Sequence, residues 1–354
     1  MMSNGNYFLE KLEKMLFLEI KKDSKINEYK FKENIYMPVS SEKIVNKAKS
    51  GDNLQDIPIN LFVEGMFFVL GADEKFTHNG TYIEVIKSIP NSTNYIKGRI
   101  FDNIKNDKYE DAFIMLKGLL QVEVSKDNLD KGLILADGLR KTHSAFKDEE
   151  LKLIDLAKKY NDYAAPYYYD AIIKYEEGDI EKAFFNINQY ISLGGKVTEE
   201  VEELKNNLSI INEYDHGKEL VYEEPKKALE TLLPLVDVLG NKAEVYYYIS
   251  ICYRILQNYE KAIYYLNEAL AIDSNYVQVF NELGINYACL NEFGEAIKYF
   301  RRVFELTSSI EVCTNLVMCY MNNNEIEQAK THLEIAKKLD PNDEIVKELE
   351  GILK

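Results

Sequence analysis

Three alanines mark a repeated unit in the last third of this 354-residue chain. Ala262, Ala296 and Ala329 are spaced 34 and 33 residues apart, in the segments NYEKAIYYL, EFGEAIKYF and EIEQAKTHL. A tyrosine stands nine positions before each of these alanines: Tyr253, Tyr287 and Tyr320. Two helices of about a dozen residues and two short turns use roughly 34 residues. The spacing therefore predicts helical hairpins that stack on one another, because one hairpin cannot bury its own apolar face.

The residues around these alanines resemble the tetratricopeptide repeat family, whose signature runs W-x₂-L-G-x₂-Y, then A-x₃-F, then P. The middle unit matches the signature with Phe in place of Trp: Phe280, Leu283, Gly284, Tyr287, Ala296 and Phe300. The unit before it carries Ser250 in the glycine position, and the unit after it carries Val317 there but keeps Pro341. The resemblance implies an all-α fold, an α-solenoid of helix-turn-helix repeats that is clearest over residues 243–342.

Weaker units precede these three, with Ala228 in the same phase and a gap of 45 residues, eleven more than one repeat, between Ala183 and Ala228. They are marked by earlier alanines: Ala112, Ala157, Ala183 and Ala228. We expect about seven repeats over residues 93–342, followed by a C-terminal capping helix at residues 343–354 that covers the last repeat.

Residues 1–92 do not follow the repeat phase, and we expect an irregular, mainly helical N-terminal cap there. Helices are predicted at 6–21 and 58–71. The segment HNGTYIEVIKSI at 78–89 fits either a helix or a short strand after an Asn-Gly turn.

The chain is acidic, with a formal net charge of −16 and a sequence pI near 4.9. Nucleic-acid binding depends on clustered Lys and Arg that release counterions from phosphates, so we expect no nucleic-acid partner. No window approaches eighteen uncharged apolar residues, so we expect no membrane span. The four cysteines, Cys252, Cys289, Cys313 and Cys319, form no C-x-x-C pair and fall within predicted helices, where a free Cys is usually a small buried apolar residue. A reduced, cytoplasmic protein is therefore predicted.

No catalytic or cofactor motif appears in the sequence. It lacks a glycine-rich phosphate loop, a G-x-S-x-G elbow and an H-E-x-x-H helix, and its four histidines lie far apart. We therefore expect no cofactor, no metal site and no enzymatic activity. An enzyme whose residues are scattered over several helices leaves no motif, so one alternative stays open. Convergence of polar residues from 1–92 in one pocket would favour it.

The family resemblance also implies a binding surface, because family members bind peptides or protein segments on the concave face lined by the first helices. The residue after the aromatic position, and those four and seven positions later, share one stripe of such a helix. In this chain the stripe residues are Tyr168, Ile172, Tyr175, Tyr247, Ile251, Arg254, Asn281, Ile285, Ala288, Thr314, Met318 and Met321.

Two interpretations of this stripe remain open. The residues either pack against neighbouring helices, or they bind a partner, as surfaces rich in Tyr, Met and Arg do. The leading hypothesis is a non-enzymatic scaffold, adaptor or chaperone that binds an apolar or amphipathic protein segment. The alternative is a peptide-sensing regulator whose N-terminal region acts on a target protein, since some bacterial regulators of similar length join a helical region to about seven such repeats. The sequence leaves the oligomeric state open.

Overall fold

The computed structural model describes residues 4–50 and 57–353. Residues 1–3 and 51–56 of the predicted N-terminal cap, and residue 354 of the predicted C-terminal helix, lie outside the described residues. The fold is all-α, with a small strand region near the N-terminus. The chain divides into two compact units, an N-terminal unit to Lys205 and a C-terminal unit from Asn206, and the division falls within one helix.

The N-terminal unit begins with short helices and strands. These elements are α1 (Asn4–Glu10), a 3-10 helix (Lys11–Lys14), β1 (Met15–Ile20), β2 (Lys25–Ile26), β3 (Tyr29–Lys30), β4 (Ile35–Ser40) and α2 (Ser41–Lys49). β1 pairs antiparallel with β4, and β2 pairs antiparallel with β3. Asp23 and Asn27 adopt left-handed φ angles of 65° and 53° in the turns that bring these strands together.

The single helix predicted at 6–21 is wrong, because its second half is strand β1. Met15–Ile20 is held by its partner β4, in which Met37 and Val39 are fully buried. The acidic residues of this segment stand between apolar ones at spacings that are also compatible with one face of a helix. Pairing with a strand further along the chain decides the structure here, and local periodicity does not reveal it.

The next two helices agree with the sequence-based expectations for this region. The helix predicted at 58–71 is confirmed as α3 (Ile59–Ala72), which is buried from Phe62 onward. The segment at 78–89 is the helix α4 (Asn79–Ser88) and not a strand.

Helix pairs complete the N-terminal unit. They are α5 (Ser92–Lys105) with α6 (Tyr109–Val122), α7 (Lys126–Arg140) with α8 (Ala145–Ala157), and α9 (Ala165–Glu176) with α10 (Ile180–Ser192). The first residues of α11 (Glu199–Glu219) close this unit. One apolar core extends from Phe8 to Ile173.

Two glycines set how closely α3 approaches α6. A Cβ atom on Gly71 would overlap the carbonyl of Ile114 on α6, and a Cβ atom on Gly118 would overlap the carbonyl of Phe67 on α3. The two helices therefore meet backbone to backbone, which only residues without a side chain permit.

The C-terminal unit is an α-solenoid of stacked helix pairs. After the end of α11 it contains α12 (Pro225–Leu239), α13 (Ala243–Ile255), α14 (Tyr259–Ile272), α15 (Val277–Cys289), α16 (Phe293–Thr307), α17 (Ile310–Asn322), α18 (Ile326–Leu339) and α19 (Glu344–Leu353). Each pair packs on the next, through α14 with α15 and α16 with α17. Ala262, Ala296 and Ala329 are fully buried, as close approach of paired helices requires.

One turn recurs between the two helices of these pairs. Five residues before each aligned alanine, the φ angle is left-handed: 59° at Gln257, 62° at Asn291 and 62° at Asn324. The following amide donates to the carbonyl of the repeat tyrosine, as Glu292 does to Tyr287 at 2.9 Å. This is the Schellman arrangement, which satisfies carbonyls at the end of the first helix.

The same turn joins the two helices of two pairs in the N-terminal unit. Asp107 and Gly178 have φ angles of 57° and 78°, and each lies five residues before one of the alanines noted at 112 and 183. The amides of Lys108 and Asp179 bond back to carbonyls five residues earlier, at 2.8 and 2.9 Å. The α5–α6 and α9–α10 pairs thus share the turn geometry of the C-terminal pairs.

Candidate functional site

Helix α13 carries three of the residues expected on the binding stripe, and they differ in exposure. Tyr247 is half-buried, with its ring 5.3 Å from that of Tyr276. Ile251 is only 1% exposed and belongs to the core. Arg254 is half-buried, and its Nε lies 2.7 Å from a carboxylate oxygen of Glu282 on α15.

The Arg254–Glu282 pair joins the first helices of two successive helix pairs. Burial raises the pKa of Glu282, while the guanidinium of Arg254 acts in the opposite direction. The single cation expected on the stripe is therefore committed to a neighbouring carboxylate. Sequence reasoning missed this partner, because the two residues stand 28 positions apart and match no motif.

Helices α15 and α17 carry the rest of the expected stripe in the C-terminal unit. Thr314 is 2% exposed, and its hydroxyl donates to the carbonyl of Glu311 at 2.8 Å. Met318 is 37% exposed. The remaining stripe residues on these helices are half-buried: Asn281, Ile285, Ala288 and Met321.

A mainly apolar pocket of about 260 Å³ lies between α15 and α17. We call it the α15–α17 pocket, and its lining includes Ile285, Ala288, Cys289, Asn315, Met318 and Cys319. Three of these were expected from the stripe. Cys289, Asn315 and Cys319 were not, although each lies within one helical turn of a stripe residue: four after Ile285, three before Met318 and one after Met318.

Comparison with protein families decides what these helix pairs are. Models described as tetratricopeptide repeat match residues 241–309 and residues 310–343. Residues 241–343 are tetratricopeptide repeats. The resemblance noted for residues 243–342 is confirmed by this match, which covers α13 to α18 and so contains the α15–α17 pocket.

Solved structures similar to this chain include MamA, YrrB and a chain of the Cut9–Hcn1 assembly, all at low sequence identity. A crystal structure of MamA is 18% identical with a TM-score of 0.37, covering 49% of this chain and 90% of MamA. YrrB, described as a tetratricopeptide-repeat protein with an unusual peptide-binding site, is 18% identical with a TM-score of 0.34, covering 56% of this chain and 96% of YrrB. The Cut9–Hcn1 hetero-tetramer contributes a chain that is 13% identical with a TM-score of 0.37, covering 86% of this chain and 66% of that chain. No curated protein sequence matches the chain.

Outside the matched repeats, α9 of the N-terminal unit carries the other expected stripe residues. Tyr168 is half-buried, with its ring 5.4 Å from the rings of both Tyr169 and Tyr190. Burial raises the pKa of Tyr168. Ile172 is half-buried and Tyr175 is 38% exposed.

A second concavity lies in the N-terminal unit, and its character is different. This polar cleft, of about 830 Å³, is lined by charged and polar side chains that include Glu42, Lys43, Glu64, Arg99, Asn103 and Lys108. Several come from residues 1–92. This is the convergence of polar residues that the sequence-based expectations name as favouring the alternative of an enzyme in this region.

The structure also bears on metals and membranes. In residues 4–50 and 57–353, no three His, Cys, Asp or Glu side chains come together in a way that could hold a metal ion. Within the same described ranges, no helix combines the length and the apolar character needed to cross a bilayer.

Proposed function

We propose that this chain is a non-enzymatic scaffold, adaptor or chaperone whose tetratricopeptide repeats bind an apolar or amphipathic segment of a partner protein. The observation that carries the proposal is the α15–α17 pocket. It opens on the first-helix stripe expected to face a partner, and both Ile285 and Met318 line it. Stacked repeats expose such faces as extended binding surfaces.

The chemistry of the pocket specifies the segment that it would take. Its lining is mainly apolar, and methionine side chains adapt to apolar groups of different shape. An amphipathic helix that inserts one or two apolar anchors suits such a surface. Residues 206–354 contain 14 Lys and Arg against 24 Asp and Glu, a net charge of −10, so basic residues around the anchors would favour association.

The test begins with peptides selected from a random library on the native chain. Met318→Glu places a charge in the pocket, and we expect it to weaken the selected peptides at least about tenfold, as loss of a central apolar contact does. Gln328→Glu, on an exposed position of α18, makes the same change of charge away from the pocket and serves as the control.

A second readout locates the bound peptide. Cys289 is exposed and lines the pocket, so a bound peptide should slow its alkylation. Peptides that bind Met318→Glu as tightly as the native chain, and that leave alkylation of Cys289 unchanged, would refute the proposal.

We propose Tyr168, Ile172 and Tyr175 as a further contact surface, on α9. Support comes from the exposed ring of Tyr175, which lies beside half-buried partners on one helix stripe. Tyr175→Ala should weaken binding of the natural partner segment and leave the melting temperature unchanged. Binding that is insensitive to this substitution would confine the contact to the matched repeats.

We also propose a cytoplasmic location, supported by the four free cysteines. A fusion of the full chain to a reporter that is active only in the cytoplasm tests this directly.

A further inference from the structure

The polar cleft is separate from the matched repeats and from the α15–α17 pocket. It lies among α2, α3, α5 and the start of α6, all in the N-terminal unit. Its volume of about 830 Å³ falls within the range of about 300–1,000 Å³ that is usual for small-molecule sites.

Glu64 lies in the wall of the cleft and is 5% exposed. It is the one charged residue of α3, whose sequence is INLFVEGMFFVLGA. Its carboxylate accepts a hydrogen bond from the hydroxyl of Tyr95, contacts the ammonium of Lys43, and lies 3.2 Å from Nε of Arg99.

Burial of the Glu64 carboxylate is costly for folding, although two partly exposed cations lie beside it. Apolar side chains in place of a buried ion pair often leave a protein as stable or more so. A buried carboxylate in the wall of a large cleft, on an otherwise apolar helix, marks that cleft as a candidate ligand site.

Charged groups of both signs remain available around the cluster. Asp111 and Glu110 are already paired, with Lys14 at 3.3 Å and with Lys11. Within the described residues, three further charged side chains that line the cleft form no salt bridge: Glu42, Asp107 and Lys108.

The charges and the apolar side chains of the lining together restrict the class of ligand that fits the cleft. Four cations and five carboxylates line the cleft, so neither a polyphosphate nor a simple cation is complementary to it. Phe68, Met115 and Leu139 supply apolar wall, while Asn46 and Asn103 supply amide groups. A fitting ligand carries one charge of each sign and an apolar part.

We propose that the polar cleft binds a zwitterionic small molecule with the chemistry of a free amino acid or a short peptide. Its carboxylate pairs with Lys108 and its ammonium pairs with Glu42, while the apolar part lies against Phe68 and Met115. This site is independent of the segment-binding function of the repeats.

The test measures the melting temperature and calorimetric binding of the full chain with two sets of probes. One set is the twenty common amino acids, each added singly, and the other is a mixed pool of tripeptides. The matched control is the same pool acetylated at the amino end and amidated at the carboxyl end. We expect at least one unblocked set to bind, and blocking to weaken the tripeptides at least about tenfold, since it removes two charge-assisted contacts. Which set binds more tightly distinguishes free amino acids from peptides.

Variants then locate the site. Lys108→Gln and Glu42→Gln should each weaken the bound probe about tenfold without changing the melting temperature of the free chain, because both side chains are exposed. Lys105→Gln and Glu13→Gln, exposed and outside the cleft, should bind like the native chain. Met318→Glu should also leave this binding intact, which separates it from the function proposed for the repeats.

Three results would overturn the proposal. The first is that no unblocked probe binds. The second is that the unblocked tripeptides bind and that blocking both ends leaves their affinity unchanged. The third is that neither Lys108→Gln nor Glu42→Gln weakens binding of the probe.

Discussion

The tyrosine that recurs in the tetratricopeptide repeats acts by stacking across the two helices of one repeat. In each repeat its ring meets the side chain twelve positions later: Tyr253 with Tyr265, Tyr287 with Tyr299 and Tyr320 with His332. The first two pairs are nearly parallel, at 9° and 5°, with ring centroids 5.4 and 5.6 Å apart. Because offset stacking adds to simple burial, this position contributes more than apolar area to the repeat.

Gly284 lies against the ring of Phe300, and we predict that a larger side chain at this position destabilises the protein. A Cβ atom at this position would lie 2.6 Å from the ring of Phe300. Gly284→Ala should therefore lower the free energy of unfolding by about 1–3 kcal/mol, the usual cost of overpacking a core. Urea denaturation followed by circular dichroism measures the change.

Gly294 provides the matched control, because it lies in α16 and a Cβ atom there would meet nothing within 4 Å. Gly294→Ala should leave the free energy of unfolding unchanged or raise it by up to about 1 kcal/mol, as Ala favours helix. Equal destabilisation by both substitutions would mean that contact with Phe300 is not the cause.

The four thiols should differ sharply in reactivity towards iodoacetamide. Burial raises the pKa of Cys252, Cys313 and Cys319 to about 11, whereas Cys289 is exposed. The thiolate is the nucleophile, so a raised pKa keeps these three thiols protonated and unreactive at pH 8. Mass spectrometry of the native chain should show alkylation of Cys289 first, with the other three modified only after denaturation. Modification of Cys319 at the rate of Cys289 would contradict this.

At the scale of elements, breaking the Arg254–Glu282 ion pair between α13 and α15 should lower the free energy of unfolding by an amount that depends on pH. Arg254→Met leaves the carboxylate of Glu282 largely buried without its cation, and we expect the free energy of unfolding to fall by about 3 kcal/mol at pH 8. The pKa of Glu282 is already raised by burial, so its folded-state pKa lies above the unfolded value. Such a group favours folding at low pH and loses that contribution as pH rises, so the deficit of the variant should be smaller at pH 5.

The double variant Arg254→Met with Glu282→Met separates the cost of an unpaired charge from lost packing. It should recover to within about 1 kcal/mol of the native chain, because apolar pairs replace buried ion pairs well. Urea denaturation at both pH values measures all three chains. A single variant whose deficit is the same at pH 5 and pH 8 would show that Glu282 is not the group responsible.

The elements that could be predicted are those whose signal is local. Repeat alanines and tyrosines show helix pairs because one hairpin carries its whole pattern within about 34 residues. Strand β1 was missed because its apolar residues fit two periods and its partner is not adjacent. Of the candidate site, Ile285 and Met318 followed from the stripe, whereas the contact of Arg254 with Glu282 and the burial of Ile251 and Thr314 depend on packing between repeats.

At the scale of the whole molecule, the family match is confined to one of the two units. Residues 241–343 match the repeat family, and the N-terminal unit has its own apolar core from Phe8 to Ile173. We propose that α5–α6 and α9–α10 are divergent repeats, supported by left-handed turns at Asp107 and Gly178 in the same register as those of the matched repeats.

Because the C-terminal unit has apolar cores of its own, we predict that it folds alone. A fragment of residues 206–354 should be helical by circular dichroism and should melt cooperatively. It should also bind the peptides selected on the full chain. A fragment that lacks cooperative melting would show that this unit depends on residues before 206.

The contact of Gly71 with Gly118 has a consequence for how relatives of the N-terminal unit can be recognised. Each glycine makes room for a carbonyl on the opposite helix, so mutating one cannot be compensated by mutating the other, and selection must retain both. The family models match residues 241–309 and 310–343 and leave residues 1–240 unmatched. Two glycines 47 positions apart form a sparse signature that should be retained wherever α3 and α6 meet in this way. Distant homologues of this region are best sought by that spacing.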